Sequence, residues 1–231
     1  MPLSAALAAA ARDLVLAESC AGCSAPRGQG SLCSRCRRGL LPDPRPVRPL
    51  IEPAGFPRTV AAAPYTGVVR RLLVAHKEQA RLSLARPLGL LLAAAVAAGL
   101  ADPHSQVVLV PVPSQRGTTR RRGHDPVQRM ARHAARCLGA GASVDPVLRH
   151  RRRVDDQSGL TAQQRLANLT DALEATRPIG VATGAVVVLV DDICSSGSTL
   201  AAAAAALGEY GVVPAQLVGA VVASPPLRVC A

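Results

Sequence analysis

The chain has 231 residues, 49% of them hydrophobic, and a net charge of +12, which is the composition of a globular protein with a polyanionic partner. Two tyrosines, one phenylalanine and no tryptophan disfavour a nucleic-acid platform built on base stacking. The cations are almost all arginine, which suits bidentate contacts with pyrophosphate or nucleic acid, although an arginine-rich codon bias could explain part of the excess.

No targeting or membrane-spanning segment is expected from the sequence. The apolar residues 88–100 are too few to cross a bilayer, and Arg86 and Asp102 bracket them. The alanine-rich N-terminus lacks the basic start of a signal peptide. These features predict a cytoplasmic protein.

Two Cys-x2-Cys pairs follow a short predicted helix over residues 2–17. The four cysteines are Cys20, Cys23, Cys33 and Cys36. This spacing predicts a closed tetrahedral zinc site with a structural role. Disulfides are disfavoured in a reducing cytoplasm, and empty, degenerate cysteine pairs are the other alternative. We expect residues 1–40 to form this small zinc module.

Six prolines between residues 41 and 57 predict a linker, because proline opposes both helix and sheet. Beyond it, residues 58–231 alternate apolar segments with helical patterns. This order predicts an α/β domain with a mostly parallel sheet flanked by helices. Strands are expected at residues 58–65, 107–113, 144–148, 186–190 and 216–222, and helices at residues 68–77, 83–100, 126–138 and 161–173 and from residue 201.

The strand at residues 107–113 leads into a loop rich in glycine and arginine that ends at His124. Its candidate ligand-binding residues are Pro113, Ser114, Gln115, Arg116 and Arg122. In a parallel sheet, this loop would lie beside the loop that follows residues 186–190, where its arginines could bind pyrophosphate. A solvated loop that never meets a ligand is the alternative.

Residues 186–200, VVVLVDDICSSGSTL, predict a buried strand, a tight loop and a helix. Asp191 and Asp192 end the strand, and ionised carboxylates accept hydrogen bonds from sugar hydroxyls or from magnesium-bound water. The candidate loop residues are Ile193, Cys194, Ser195, Ser196, Gly197, Ser198 and Thr199. Backbone N–H groups at the helix start favour an anion, so this stretch predicts a ribose phosphate site, with an ordinary serine-capped turn as the alternative.

The Asp-Asp stretch resembles the phosphoribosyl-pyrophosphate (PRPP) signature of type I phosphoribosyltransferases, and most of the chain is similar to the ComF family of competence-associated, amidophosphoribosyltransferase-like proteins. The matching features are the four cysteines, Tyr65-Thr-Gly-Val-Val-Arg-Arg with Lys77, Val110-Pro-Val-Pro113 with Arg122-Gly123, Gln157, Arg165, Asn168 and the signature itself. The chain departs from the family at His124-Asp125-Pro126, where Phe-Asn-Gln is common, although Asp125 could still cap the following helix.

This resemblance implies an enzyme that binds PRPP with Mg²⁺ and transfers its phosphoribosyl group to an unknown acceptor. Asp191 and Asp192 would hold the ribose hydroxyls, and residues 193–199 would hold the 5′-phosphate. Lys77 and the loop from Pro113 would complete the substrate site, with pyrophosphate against the loop.

A non-catalytic accessory factor in DNA uptake is the alternative. Such a zinc-stabilised protein would bind single-stranded DNA through Arg120–Arg122 and Arg149–Arg153, with competence-machinery proteins as partners. A nucleotide-sensing regulator on the same fold is a third option.

Overall fold

The computed structural model describes residues 19–25, 31–114, 125–151, 173–180 and 184–226. The predicted helix over residues 2–17 lies outside these ranges, as do most of residues 161–173 and the loop from Gln115 to His124. Gln157, Arg165 and Asn168 are outside them too.

A six-stranded sheet forms the centre of the protein. Its strands are β1 (Arg45–Pro46), β2 (Thr59–Pro64), β3 (Val107–Pro111), β4 (Ala142–Val144), β7 (Val186–Ile193) and β8 (Leu217–Ser224). They lie in the order β1-β2-β8-β7-β3-β4. All neighbours pair in parallel except β1, which is antiparallel to β2. The predicted fold class, a mostly parallel sheet flanked by helices, is therefore confirmed.

Five described helices accompany the sheet. They are α1 (Ser34–Arg38), α2 (Gly67–Glu78), α3 (Ala85–Gly99), α4 (Pro126–Leu138) and α5 (Ser198–Gly208), with 3₁₀ turns at Leu82–Leu84 and Pro214–Gln216. Side chains from α2, α3 and α4 share one core with Val188 and Val190 of β7. Side chains from α5 share the other core with Val187 and Leu189. The alternation of β7 side chains thus divides the interior into two layers.

Pro146 interrupts the strand that was predicted over residues 144–148. The chain instead forms β4 before the proline and β5 (Leu148–His150) after it. β5 pairs antiparallel with β6 (Leu173–Ala175), so Leu173 is in a strand and not in the predicted helix. Proline cannot donate to a sheet ladder, which explains the break.

The proline-rich residues 41–57 include the edge strand β1. Val47 is buried, and its N–H donates to the carbonyl of Thr59 over 2.8 Å. An edge position tolerates Pro46, because one side of an edge strand needs no donors. This segment therefore lies against the sheet.

The helical stretch Leu82–Gly99 has 18 residues and is apolar enough to cross a membrane by length and composition. Its burial indicates a different role, because 56% of it lies inside the protein. Leu88 and Leu92 have no exposed surface, and α3 packs between the sheet and α4. We assign it as a core helix.

Candidate functional site

Four cysteine thiols converge near the described N-terminus. The Sγ atoms of Cys20, Cys23, Cys33 and Cys36 all lie within 4.8 Å of one another. Tetrahedral zinc with Zn–S bonds of about 2.3 Å needs sulfurs about 3.8 Å apart. The Cys23 and Cys33 sulfurs are 3.7 Å apart, so this cysteine cluster fits zinc.

Backbone donors already surround one sulfur of the cluster. The N–H groups of Gly22 and Cys33 donate to Cys20 Sγ over 3.4 and 3.3 Å. Burial opposes ionisation of Cys20, but donors from Cys33, Gly22 and Cys23 together lower its pKa to about 6. Burial raises the pKa of Cys36 to about 12, and the neighbouring thiols act in the same direction. The cluster therefore includes one thiol that ionises readily and is poised to be a metal ligand.

The cysteine cluster packs directly on α2. A Cβ built on Gly22 would lie 2.7 Å from Cys36 Sγ and 3.1 Å from Val68 Cγ1, so only glycine fits between them. The Arg71 guanidinium donates to the Gly22 carbonyl, and that of Arg81 donates to the Ser19 carbonyl over 2.8 Å. The cluster is thus joined to the helix that carries Lys77.

The two signature aspartates lie within the last residues of β7 and have different surroundings. Successive residues of a strand point to opposite faces, which places Asp191 with Leu189 and Asp192 with Val190. Asp192 is 5% exposed, whereas Asp191 is half-buried. The two carboxylates therefore cannot be equivalent.

Lys77, which was predicted to bind the substrate, contacts a signature aspartate. Its Nζ lies 2.8 Å from Asp192 Oδ2. Lys77 lies in the last turn of α2, and α2 packs on the sheet face that Asp192 shares with Val188 and Val190. This contact neutralises the buried carboxylate and fixes its orientation.

Asp191 accepts a hydrogen bond from the Asp192 N–H, at 2.7 Å from its Oδ1. Loss of hydration and the negative charge of Asp192 raise the pKa of the Asp191 carboxyl well above its usual value. A ligand that supplies hydroxyl donors or a cation would stabilise the charged form of this carboxyl, so Asp191 is suited to bind such a ligand.

The loop after β7 turns sharply at Gly197. Its φ of 78° lies in the left-handed region that favours glycine. Ser195 and Ser196 are exposed, and Ser196 Oγ lies 3.1 Å from Ser198 Oγ. Helix α5 then begins at Ser198, whose N–H donates to Ser196 Oγ over 3.4 Å, and the first N–H groups of a helix have no partner within the helix itself. Hydroxyls and helix N–H groups here make a suitable anion site.

Cys194, inside this loop, is 3% exposed. Burial, and then the charge of Asp191, raise the pKa of its thiol to about 11. A buried thiol with a raised pKa is unreactive, so Cys194 packs within the loop and does not offer a reactive group.

Phe56 and Pro49 lie against the loop, and sequence analysis did not include them in the site. A Cβ built on Gly197 would lie 2.7 Å from both Cδ2 and Cε2 of Phe56 and 3.1 Å from Pro49 Cγ. The one phenylalanine of a chain so poor in aromatics could have been noticed, but nothing in residues 41–57 indicated which loop it contacts.

The end of β3 is held beside β7. Val112 N–H donates to the Val190 carbonyl over 2.9 Å, and His150 Nε2 lies 2.9 Å from the Pro113 carbonyl oxygen.

Asp125 caps α4 by accepting from Gln128 N–H over 3.0 Å, as predicted. Its other oxygen accepts from Ser114 N–H over 3.0 Å. Asp125 thereby joins both ends of the segment that holds Gln115, Arg116 and Arg122, which lie outside the described residues.

Two arginines of the predicted DNA-binding cluster are engaged in ion pairs. Arg149 Nε lies 2.7 Å from Glu174 Oε1, and Arg151 Nη2 lies 3.2 Å from Glu209 Oε1. Arg152 and Arg153, like Arg120–Arg122, fall outside the described residues. The described part of the cluster is thus largely neutralised.

Comparisons with known proteins agree with this architecture. Residues 101–224 match the phosphoribosyl transferase domain family, a range that includes β3, β7 and the Gly197 loop. The chain is also similar to the DNA utilization protein YhgH of Salmonella typhi, with 30% identity over 200 residues. This alignment covers 86% of this chain and 81% of the relative.

Proposed function

Because the chain belongs to the ComF family of type I phosphoribosyltransferase-like proteins, we propose that it binds PRPP or a related ribose phosphate and transfers the phosphoribosyl group to an acceptor. The observation that carries this proposal is the half-buried Asp191 at the end of β7, next to a loop with exposed hydroxyls and a helix start. Parallel α/β sheets bind ligands at this edge.

In this proposal, the Asp191 carboxylate accepts hydrogen bonds from the ribose hydroxyls, and the ion pair with Lys77 fixes the orientation of the adjacent Asp192. Residues 195–199 donate to the 5′-phosphate through hydroxyls and N–H groups. The segment from Pro113 to Arg116, anchored by Asp125, is expected to meet the pyrophosphate. The carboxylate oxygens of Asp191, which Lys77 does not neutralise, are the hard oxygen ligands that Mg²⁺ prefers, and Mg²⁺ bound with PRPP would neutralise charge on the leaving group.

Calorimetric titration with PRPP and Mg²⁺ tests the site. We expect measurable binding by the wild-type protein and at least a tenfold weaker affinity in Asp191→Asn, because loss of a charge-assisted hydrogen bond costs about 1.5–3 kcal/mol. Asp102→Asn is a matched control, since Asp102 precedes β3 and so lies at the opposite edge of the sheet. Equal affinity in Asp191→Asn and the wild type would contradict the proposal.

We propose that the cysteine cluster binds structural Zn²⁺. Its four sulfurs fit a closed tetrahedral site, which leaves no coordination position open for catalysis. We also propose a cytoplasmic location, where a reducing environment would keep these cysteines as free thiols that a metal can bind. The proposed zinc module comprises residues 1–40.

A role as a DNA-uptake accessory factor is the second candidate function. The description of the relative as a DNA utilization protein and the net charge of +12 favour it. The ion pairs of Arg149 and Arg151 do not, because paired guanidinium groups attract phosphates less strongly. A DNA-binding surface would have to lie elsewhere.

A further inference from the structure

Helix α4 presents a row of basic side chains along one side. Arg129, Arg132, His133 and Arg136 follow the spacing i, i+3, i+4, i+7, which places all four on a single face of the helix. Arg132 and Arg136 are exposed, and Arg129 and His133 are half-buried. The opposite side of α4, including Met130 and Ala134, is fully buried in the core.

Helix α3 adds a fifth basic residue to this surface. A Cβ built on Gly89 would lie 2.5 Å from His133 Cβ and 2.9 Å from the Met130 carbonyl, so α3 and α4 approach closely at this glycine. Arg86 lies one turn before Gly89 and is exposed. The close approach therefore brings it next to His133.

We define the cationic face as Arg86, Arg129, Arg132, His133 and Arg136. Neither α3 nor α4 contains an aspartate or a glutamate. Among the residues that the structure describes, no carboxylate forms an ion pair with any of the four arginines.

The electrostatics of His133 reflect this concentration of charge. Partial burial lowers the pKa of its imidazole, and the charges of Arg136, Arg86 and Arg129 lower it further. Three guanidinium groups from two helices thus act on one ring. By contrast, Arg45, Arg149 and Arg177 each contact a carboxylate elsewhere on the surface.

The composition of the cationic face favours a nucleic-acid backbone over a protein partner. Protein interfaces have an apolar centre that is depleted in charge, whereas nucleic-acid interfaces are polar and strongly positive. Leu90, 53% exposed and one turn after Arg86, is the one large exposed apolar side chain described on α3 and α4. The described phenylalanine and tyrosines, Phe56, Tyr65 and Tyr210, lie on neither helix, so His133 is the one aromatic ring on the face.

We infer that the cationic face of α3 and α4 binds the phosphodiester backbone of nucleic acid, independently of base sequence. This inference rests on the second candidate function and gives it a surface different from both arginine clusters predicted from the sequence. Phosphate contacts carry no direct sequence information, so similar affinity is expected for unrelated sequences of one length. Side chains of α3 and α4 belong to the core on one face of the sheet, whereas those of α5, which follows Gly197, belong to the core on the other face.

Fluorescence anisotropy with labelled 20-nucleotide single strands and duplexes tests the inference across a range of salt concentrations. We expect the triple variant Arg129→Gln, Arg132→Gln, Arg136→Gln to lose about 10- to 100-fold in affinity near 0.1 M salt. Its plot of log affinity against log salt should be shallower by about 2–3, since each phosphate contact contributes about 0.7–0.9 to that slope.

The matched control is Arg45→Gln, Arg149→Gln, Arg177→Gln, which removes the same net charge from arginines that contact carboxylates. It should retain affinity within about threefold, as expected for surface ion pairs. An equal loss in both triple variants would overturn the inference, as would wild-type affinity in the α4 variant or no binding of the wild type at low salt.

Two further measurements complete the test. PRPP titration of the α4 variant should match the wild type, which shows an intact fold and keeps this inference separate from the proposed enzymatic site. Poly-glutamate of matched charge should bind more weakly than either DNA. Binding of poly-glutamate as tight as that of DNA would overturn the nucleic-acid inference in favour of an acidic protein partner.

Discussion

Lys77 and Asp192 are 115 residues apart in the sequence, and their side chains form an ion pair with an Nζ–Oδ2 distance of 2.8 Å. The Asp192 side chain is only 7% exposed, whereas that of Lys77 is 39% exposed. The contact therefore stabilises a nearly buried carboxylate at the edge where the ligand is proposed to bind. Asp191, on the other face of β7, remains the better candidate for direct contact with ribose.

Lys77→Met should destabilise the protein, because it leaves the Asp192 charge buried without a counter-ion. Breaking a fully buried pair costs about 3–5 kcal/mol, and the exposure of Lys77 reduces our expectation to roughly 1–3 kcal/mol. Urea unfolding of Lys77→Met, Asp192→Asn and the double variant measures the coupling. Additive effects of the two substitutions would show that the ion pair does not contribute to stability.

Asp191→Asn should stabilise the ligand-free protein at neutral pH while weakening PRPP binding. The folded state raises the pKa of Asp191 above its ordinary value near 3.8, through desolvation and the charge of Asp192. The folded protein then binds more protons than the unfolded chain, so the contribution of Asp191 to stability falls as pH rises through the window between the two pKa values. Asparagine does not titrate and avoids this loss.

Urea unfolding of the wild type and Asp191→Asn from pH 4 to pH 8, with a magnesium chelator present, checks this expectation. The stability advantage of the variant should grow with pH. A variant that is less stable than the wild type at pH 8 would show that Asp191 is well solvated or well paired in the folded state.

Local patterns were sufficient to predict most of this architecture. The apolar runs that become β3, β7 and β8 predicted buried parallel strands, and the cysteine spacing predicted the cluster that the fold assembles. Asp125 was correctly predicted to cap α4, since capping depends on residues only three positions apart.

Contacts between distant segments were not predictable in the same way. Nothing local indicates that Lys77 meets Asp192 or that Phe56 covers Gly197, because both contacts depend on how the sheet orders its strands. The helical spacing of the four basic residues on α4 is visible in the sequence. That Arg86 joins their surface depends on the close approach of α3 and α4 at Gly89. One strand was predicted across Pro146, whereas the chain forms separate strands before and after this proline.

Gly197→Ala should lower the free energy of unfolding and reduce the affinity for PRPP. A left-handed conformation costs a non-glycine residue about 1–2 kcal/mol, and overpacking against Phe56 adds roughly 1–3 kcal/mol. Gly211→Ala is the matched control, because Gly211 has a φ of 83° but no heavy atom within 4 Å of its built Cβ. Thermal unfolding of both variants separates backbone strain from the Phe56 contact. Equal destabilisation by the two substitutions would show that the Phe56 ring moves aside without a measurable cost in folding free energy.

Removal of bound metal should expose the cysteine cluster to thiol reagents while Cys194 stays protected. In the zinc-loaded protein, the exposed Cys137 should react rapidly, and Cys194 should react slowly because it is 3% exposed and its pKa is raised to about 11. A chelator should then release additional fast thiols, among them the exposed Cys23, and lower the melting temperature, since the cluster shares its core with Val69 and Leu72 of α2. Cys23→Ser should bind zinc more weakly, whereas Cys137→Ser should bind it normally. Unchanged thiol reactivity after chelation, measured with a chromogenic disulfide reagent, would show that these cysteines hold no metal.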